Sequence, residues 1–209
     1  MLHRATTRNL LLPGELHGCW VPLPVPRGHF GRRFVVRDPL GAGDGFRIEN
    51  ERGEAVLLVD GDGLRVHGAV SIRDGREREL YRLIGRAADA PARMGLRRPD
   101  GSTAAVVHNA LYSALRDRWK IEVPGGDLMA AFGDVVGHEY TIGREGDAVV
   151  AAVSERWLRL PSRFAVEVED AADAPLLLAV AVAMEVMSCA GEGGSLRWPR
   201  SPPGRGREP

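Results

Sequence analysis

Lysine is almost missing from this chain of 209 residues: of its 28 basic side chains, all but Lys120 are arginine. Arginine grips phosphate and carboxylate through a planar fork, although a GC-rich coding bias produces the same skew. Neither sign of charge is in surplus, with 28 acidic residues against 28 basic ones. A nucleic-acid binder working by bulk positive charge is therefore excluded. Cysteine is scarce as well. Cys19 and Cys189 lie 170 positions apart, which offers no disulfide framework and no thiolate metal site; Cys189, in an apolar run, reads as a small buried hydrophobe. Long hydrophobic runs are absent. Leu10 to Leu12 stops at Pro13, short of the roughly 7–15 apolar residues of a secretory core. Leu176 to Ala190 is interrupted by Glu185 and falls below the roughly 20 residues that span a bilayer. The expectation is a protein that is not transmembrane, cytoplasmic in location, with peripheral contact to a membrane left open.

Catalytic motifs are lacking too. The chain has no nucleophile elbow, phosphate-binding loop or zinc-protease pattern. His138-Glu139 lacks the second histidine of a metal helix and precedes a strand, so His138 reads as a strand-start imidazole bonding nearby backbone. Asp60-Gly61-Asp62-Gly63 lacks the later oxygen ligands and closing glutamate of a calcium loop and reads as a turn. His67 and His108 follow strands at comparable places, but the third such place carries Ser154, so they form no ligand set. Gly41 to Gly45 leads into a strand rather than a helix N-terminus, which excludes a dinucleotide-type phosphate cradle. No catalytic residue, metal ligand or cofactor is assigned.

What is present is a threefold plan. Residues 1–29 carry Pro13, Pro22, Pro24 and Pro26 and read as an extended, proline-rich arm. Residues 191–209 are rich in Gly, Pro and Arg and read as a disordered tail. Between them, residues 30–190 hold three similar segments, each a strand, a glycine turn, a second strand, a polar connection and a third strand. Phe46-Arg47-Ile48, Gly53, Val56 to Val59 and Val70-Ser71-Ile72 form the first. The second has Met94-Gly95-Leu96, Gly101, Ala105-Val106-Val107 and Trp119 to Val123. Tyr140-Thr141-Ile142, Gly146, Val149 to Val153 and Phe164 to Val168 make the third. One extra residue after Gly146 suggests a bulge peculiar to that copy. Alternation in Phe164-Ala165-Val166-Glu167-Val168-Glu169 predicts a strand with one buried and one wet face. Three meander repeats favour closure into an antiparallel barrel, because closure removes exposed edges.

The last element follows a different period. Asp173-Ala174-Pro175 is a helix start, with an acidic cap and a proline in the first turn. Pro175 to Ala190 is apolar on nearly every face, and Gly191 supplies the stop. Such a helix is surrounded by protein. Leu178 and Val182 belong to its apolar surface, Ala179, Ala181 and Ala183 let strands approach closely, and Glu185 is its interruption. The prediction is a mainly β protein: a closed barrel threaded by its own C-terminal hydrophobic helix.

Arg33-Phe34-Val35-Val36-Arg37, Phe46-Arg47-Ile48 with Gly53, Arg116 to Ile121, His138 to Ile142 and Asp173 with its apolar helix occur in one ordered set. This set resembles the LURP-one-related family, within the tubby C-terminal-like group that includes phospholipid scramblases. The resemblance covers about residues 32–190 and implies a twelve-stranded barrel around a central helix. The chain departs from it at Val70, where an aromatic is expected, and basic pairs common in the family's connections are thin here.

A basic surface is the remaining functional candidate. Arg116, Arg118 and Lys120 share one strand face by alternation; Arg156, Arg159 and Arg163 occupy the equivalent place in the third repeat; Arg93, Arg97 and Arg98 flank the second repeat's first strand. Closure would bring such clusters to one rim, where arginine beside Trp119 and Trp157 suits an anionic headgroup. The alternative is a solvated face balanced by acids such as Asp117 and Glu155. The leading expectation is a non-enzymatic module binding an anionic membrane lipid or a protein partner, with no nucleic acid involved. An enzyme with an unrecognised site and a purely structural interaction domain, exposing an apolar patch near Trp157 and Leu158, are its rivals. The charge is unevenly spread: the two ends are cationic, and residues 30–190 hold 21 basic against 25 acidic residues. Contact with an anionic surface therefore requires one local patch or the ends.

Overall fold

A computed structural model describes residues 30–37, 45–60, 69–85, 93–110, 118–126, 128–135, 137–144, 149–155, 164–169 and 172–191. The proline-rich arm at 1–29 and the tail beyond Gly191 lie outside the described residues. Twelve strands follow one another: β1 (Arg32–Arg37), β2 (Phe46–Asn50), β3 (Ala55–Asp60), β4 (Ala69–Asp74), β5 (Glu79–Ile84) and β6 (Arg93–Arg97). Then come β7 (Thr103–Ala110), β8 (Arg118–Glu122), β9 (Leu128–Asp134), β10 (Glu139–Arg144), β11 (Val149–Ser154) and β12 (Phe164–Val168). Each pairs antiparallel with its neighbours in sequence, and β1 pairs with β12, so the sheet closes. The expected barrel is the observed one.

Period-two alternation decides which side chains enter the lumen. Phe34 and Val36, Ile48, Leu57, Ile72, Leu83, Leu96, Ile121 and Ile142 all point inward and are buried. The helix α1 (Ala174–Gly191) fills the space they leave. Asp173 caps it, its Oδ1 accepting the Leu176 N–H at 3.2 Å and its carbonyl the Leu177 N–H at 3.0 Å. Arg32 of β1 holds the approach, donating to the carbonyls of Glu169 at 2.6 Å and Ala172 at 2.5 Å. Leu178, Ala181 and Val182 are enclosed, Glu185 is buried, and Pro175 is half-buried in the first turn. Such all-round burial is what an all-round apolar helix requires. Among the described residues no helix is long and apolar enough to cross a membrane.

The structure revises three details. Bulges interrupt the register at Ile48/Glu49, Leu96/Arg97 and Ile142/Gly143, so they occur in every repeat and not only in the third. They sit beside the repeat hairpins, where extra twist brings the strands into the turn. Gly53 and Gly101 have φ of 76° and 83°, the left-handed backbone these turns need; Gly146 lies outside the described residues. Second, β12 has no wet face. Ala165 and Glu167 point away from the lumen yet are buried, as are Thr141, Ala152 and Ser154 on the neighbouring strands. β1, β11 and α1 pack on β12, and alternation in its sequence does not mean solvent on the outward face. Third, three strands stand outside the repeat plan, β1, β5 and β9.

The connections divide the barrel into two ends. In an up-and-down sheet successive connections alternate between ends. One end joins β2–β3, β4–β5, β6–β7, β8–β9 and β10–β11 with only four or five residues each. The other joins β1–β2, β3–β4, β5–β6, β7–β8 and β11–β12 with seven to nine, and β9–β10 with four. The helix enters from the short-turn end and points its last turns at the other.

Candidate functional site

The outer face of β5 to β8 carries the clearest surface feature. Alternation puts Tyr81 and Leu83, Met94 and Leu96, Ala105 and Val107, and Trp119 and Ile121 into the core. What remains outside is Arg82 and Ile84 on β5, Arg93, Gly95 and Arg97 on β6, Val106 and His108 on β7, and Lys120 and Glu122 on β8. Register then sorts these into rows. Arg93 faces His108, and His108 faces Lys120. One step along, Ile84 faces Gly95, which faces Val106, which faces Glu122. A further step brings Arg82 opposite Arg97. An apolar row is thus enclosed between two basic ones.

Because Gly95 has no side chain, the middle row is a trough. Its volume is about 440 Å³, and among the described residues Ile84, Gly85, Arg93, Gly95, Arg97, Thr103 and Val106 line it. Ile84 is 46% exposed and is the one large hydrophobic side chain left exposed among the described residues. A single exposed isoleucine needs no explanation; one beside arginines that no carboxylate engages among the described residues does. Among the described residues Arg93 has no hydrogen-bond or ion-pair partner, and Arg97 donates only to neutral oxygens, Thr103 Oγ1 at 2.8 Å and the Gly101 carbonyl at 3.3 Å. Elsewhere on the wall several arginines meet a carboxylate, as Arg73 does Asp60 at 3.5 Å. Arg37 and Arg47 both reach Glu49, at 2.6 and 2.7 Å.

Acids do enter the edges of the trough. Glu79 accepts from Arg82 at 2.9 Å and from Ser71 at 3.0 Å. Its partial burial opposes ionisation, but these two donors prevail and hold its pKa below the ordinary value. Glu122 meets Lys120 at 2.8 Å and His108 at 3.5 Å. The Lys120 contact lowers its pKa, with His108 contributing less. Four fixed cations, Arg82, Arg93, Arg97 and Lys120, stand against these two carboxylates, so the patch is locally positive on a domain that is acidic as a whole.

The residues expected at the rim are only partly within reach of the structure. Arg116, Arg156, Arg159 and Arg163, with Trp157 and Leu158, lie outside the described residues. Arg118 lies in β8, and Lys120, exposed two residues on, belongs to the basic row with His108 and Arg93. Trp119 corrects the expectation that it stacks beside the arginines: it points into the lumen, 2% exposed, on the face opposite Lys120. Arg93 and Arg97 are conspicuous in the sequence as basic residues, whereas the floor of Ile84, Gly95 and Val106 between them exists only through the register across three strands.

A second cluster sits at the long-connection end, where the helix finishes. His138 bonds helix rather than backbone through its ring: Nε2 lies 2.7 Å from Glu185 Oε2. Its Nδ1 lies 3.7 Å from Glu155 Oε2, and the ring stacks on Phe164 with centroids 4.5 Å apart and planes 18° from parallel. The residue adopts φ of 50°, a left-handed conformation that histidine accepts more readily than most. Burial opposes charging of the imidazole, yet the hydrogen bond and charge of Glu185, with Glu155 adding, raise its pKa above 6.5. Tyr140, wholly buried, has its phenol held well above its ordinary pKa by desolvation and by the charge of Glu185. No group of three or more His, Cys, Asp or Glu able to hold a metal occurs among the described residues.

The family model described as LURP-one-related matches residues 33–185. The fold is similar to an X-ray structure of a protein from Arabidopsis thaliana, with a TM-score of 0.57 and 14% identity, covering 75% of this chain and 90% of that one. No curated protein matches the sequence. Spanning most of the described barrel and reaching Glu185 on its helix, the match shows that this chain belongs to the LURP-one-related family.

Proposed function

We propose that this chain is a non-enzymatic binding module whose outer trough takes the headgroup of an anionic phospholipid. The carrying observation is the juxtaposition of Arg93 and Arg97, neither engaged by a carboxylate among the described residues, across the apolar floor of Ile84, Gly95 and Val106. Arginine forks bind phosphate oxygens by charge-assisted hydrogen bonds, while an exposed isoleucine favours carbon over water. A ligand that is anionic at one end and apolar behind it satisfies both. The trough volume falls within the roughly 300–1,000 Å³ of small-molecule sites. The lumen supports the same choice, since an apolar helix occupies it and the polar surface lies outside. In this reading the protein works peripherally at a membrane, through one local patch rather than through its net charge.

Flotation with vesicles of graded anionic content tests the proposal. Recovery should rise with the anionic fraction, weaken with salt, and fall more than about tenfold in affinity when Arg93 and Arg97 are both replaced by Ala. Equal recovery with neutral and anionic vesicles would contradict it.

A further inference from the structure

Glu185 is the one charged residue of an 18-residue helix that is otherwise apolar or small. A buried carboxylate is costly unless partnered, and at this end of the lumen His138 is one of its partners. We propose that His138 and Glu185 form a protonation-controlled latch that seats the last turns of the central helix against the barrel wall, closed when the imidazole is charged. The cationic ring donates from both nitrogens, which suits carboxylates on both sides: Glu185 on the helix at 2.7 Å and Glu155 at the end of β11 at 3.7 Å. The neutral ring has one N–H, so it can donate to only one of the two carboxylates. Phe164 of β12 fixes the ring plane by stacking. Two other titratable groups face the cluster. Tyr140 of β10 feels the charge of Glu185, and Asp134 at the end of β9 accepts the Gly137 N–H at 2.8 Å in the same turn.

The position makes the pair a latch rather than a generic core contact. The helix is anchored at its start by the Asp173 cap and the Arg32 clamp. At its other end, 47 residues separate the two partners in sequence, so their bond ties the helix to the β9–β10 connection. That connection is the single short one at its end of the barrel. A histidine whose folded pKa is raised contributes stability that is fully present below about pH 6.5 and lost as pH rises through the folded value. The latch therefore loosens toward alkaline pH.

Two readouts on the full chain test this. The His138 ring is followed by nitrogen NMR of histidine-labelled protein. Hydrogen exchange at Met184 to Met187, corrected for the intrinsic pH dependence, is followed from pH 6 to 9. The ring should titrate above pH 6.5. Protection of those amides should drop as it does so, by at most about tenfold for each unit of pKa elevation. In His138→Gln, which keeps a donor but cannot titrate, protection should no longer respond to pH in this range. Glu185→Gln provides an independent variant and should move the ring titration downward. Wild-type titration at or below pH 6.5, or protection that stays constant across it, would overturn the latch. So would a His138→Gln protein that keeps the wild-type response.

Discussion

The two ends of this barrel are built on different principles. At the short-turn end, side chains and backbone close each hairpin on itself. Asn50 Oδ1 accepts the amides of Arg52 and Glu54 at 2.9 and 3.0 Å, and Asp74 Oδ1 accepts those of Arg76 and Arg78, both at 2.9 Å. Asp100 repeats the device for Ser102 at 2.8 Å. Local bonds of this kind satisfy turn backbone without help from elsewhere. The other end has connections roughly twice as long and meets the last turns of the helix. The basic row of Arg93, His108 and Lys120 runs nearest to it. A rigid scaffold with its variable, chemistry-bearing segments gathered at one end is a common division of labour. Here the tight turns close on themselves, and the trough of the proposed site runs along the wall from Ile84 and Arg93 near the longer connections to Arg97 and Thr103 beside the β6–β7 turn.

That division can be broken most severely from the middle. Ala181→Arg puts a charge into a site that is 1% exposed and enclosed by the wall. An unpaired buried charge costs several kcal/mol, a large share of a typical 5–15 kcal/mol stability. Soluble expression should be lost; a folded, soluble product would mean the helix is not central. Next in size, Arg93→Ala with Arg97→Ala should remove most vesicle binding while leaving the thermal midpoint close to wild type, since neither guanidinium meets a carboxylate among the described residues.

Smaller effects sharpen the contrast. Asn50→Ala leaves two turn amides without their acceptor and should destabilise the fold by about 1–2 kcal/mol, read as a lower denaturant midpoint, with vesicle affinity unchanged. Gly95→Leu should do the reverse. A Cβ at Gly95 would meet only the Ile84 carbonyl at 3.7 Å, an ordinary contact, so the fold tolerates it while the rest of the side chain fills the trough. Isothermal titration with a short-chain anionic lipid should show weaker binding at nearly unchanged stability. If Asn50→Ala weakened lipid binding as much as Gly95→Leu, the turn and the trough would not be separable.

Much of the fold was legible because two periods are written plainly. Repeat strands such as Val56 to Val59 and the helix from Ala174 differ in composition and spacing, and a helix apolar all round has to be enclosed. The strands that escaped notice have physical reasons to be obscure. β9 is Leu128-Met129-Ala130-Ala131-Phe132-Gly133-Asp134, rich in Ala and Gly, which favour strands weakly. β5 follows the charged run Arg76 to Glu79 and ends Leu83-Ile84, two adjacent apolar residues that hide the alternation. The two clusters were less legible. Arg93 and Arg97 stood out as basic residues, yet their apolar floor comes from three strands and depends on register. The partner of His138 lies on the helix, so nothing local to the turn announces it. β12 shows the limit of pattern reading from the other side, because Glu167 alternates like a solvent-facing residue and is buried.

The proposed lipid site is tested most directly by mapping where an anionic lipid touches the barrel. Amide NMR of the full chain, titrated with a short-chain anionic phospholipid below its micelle concentration, reads this at every strand. Shifts should concentrate at Ile84, Gly95, Val106 and His108, with the Gly53 turn of β2 and β3 unmoved. Shifts centred on the Gly53 turn, or none at lipid concentrations that drive the protein onto anionic vesicles, would contradict it.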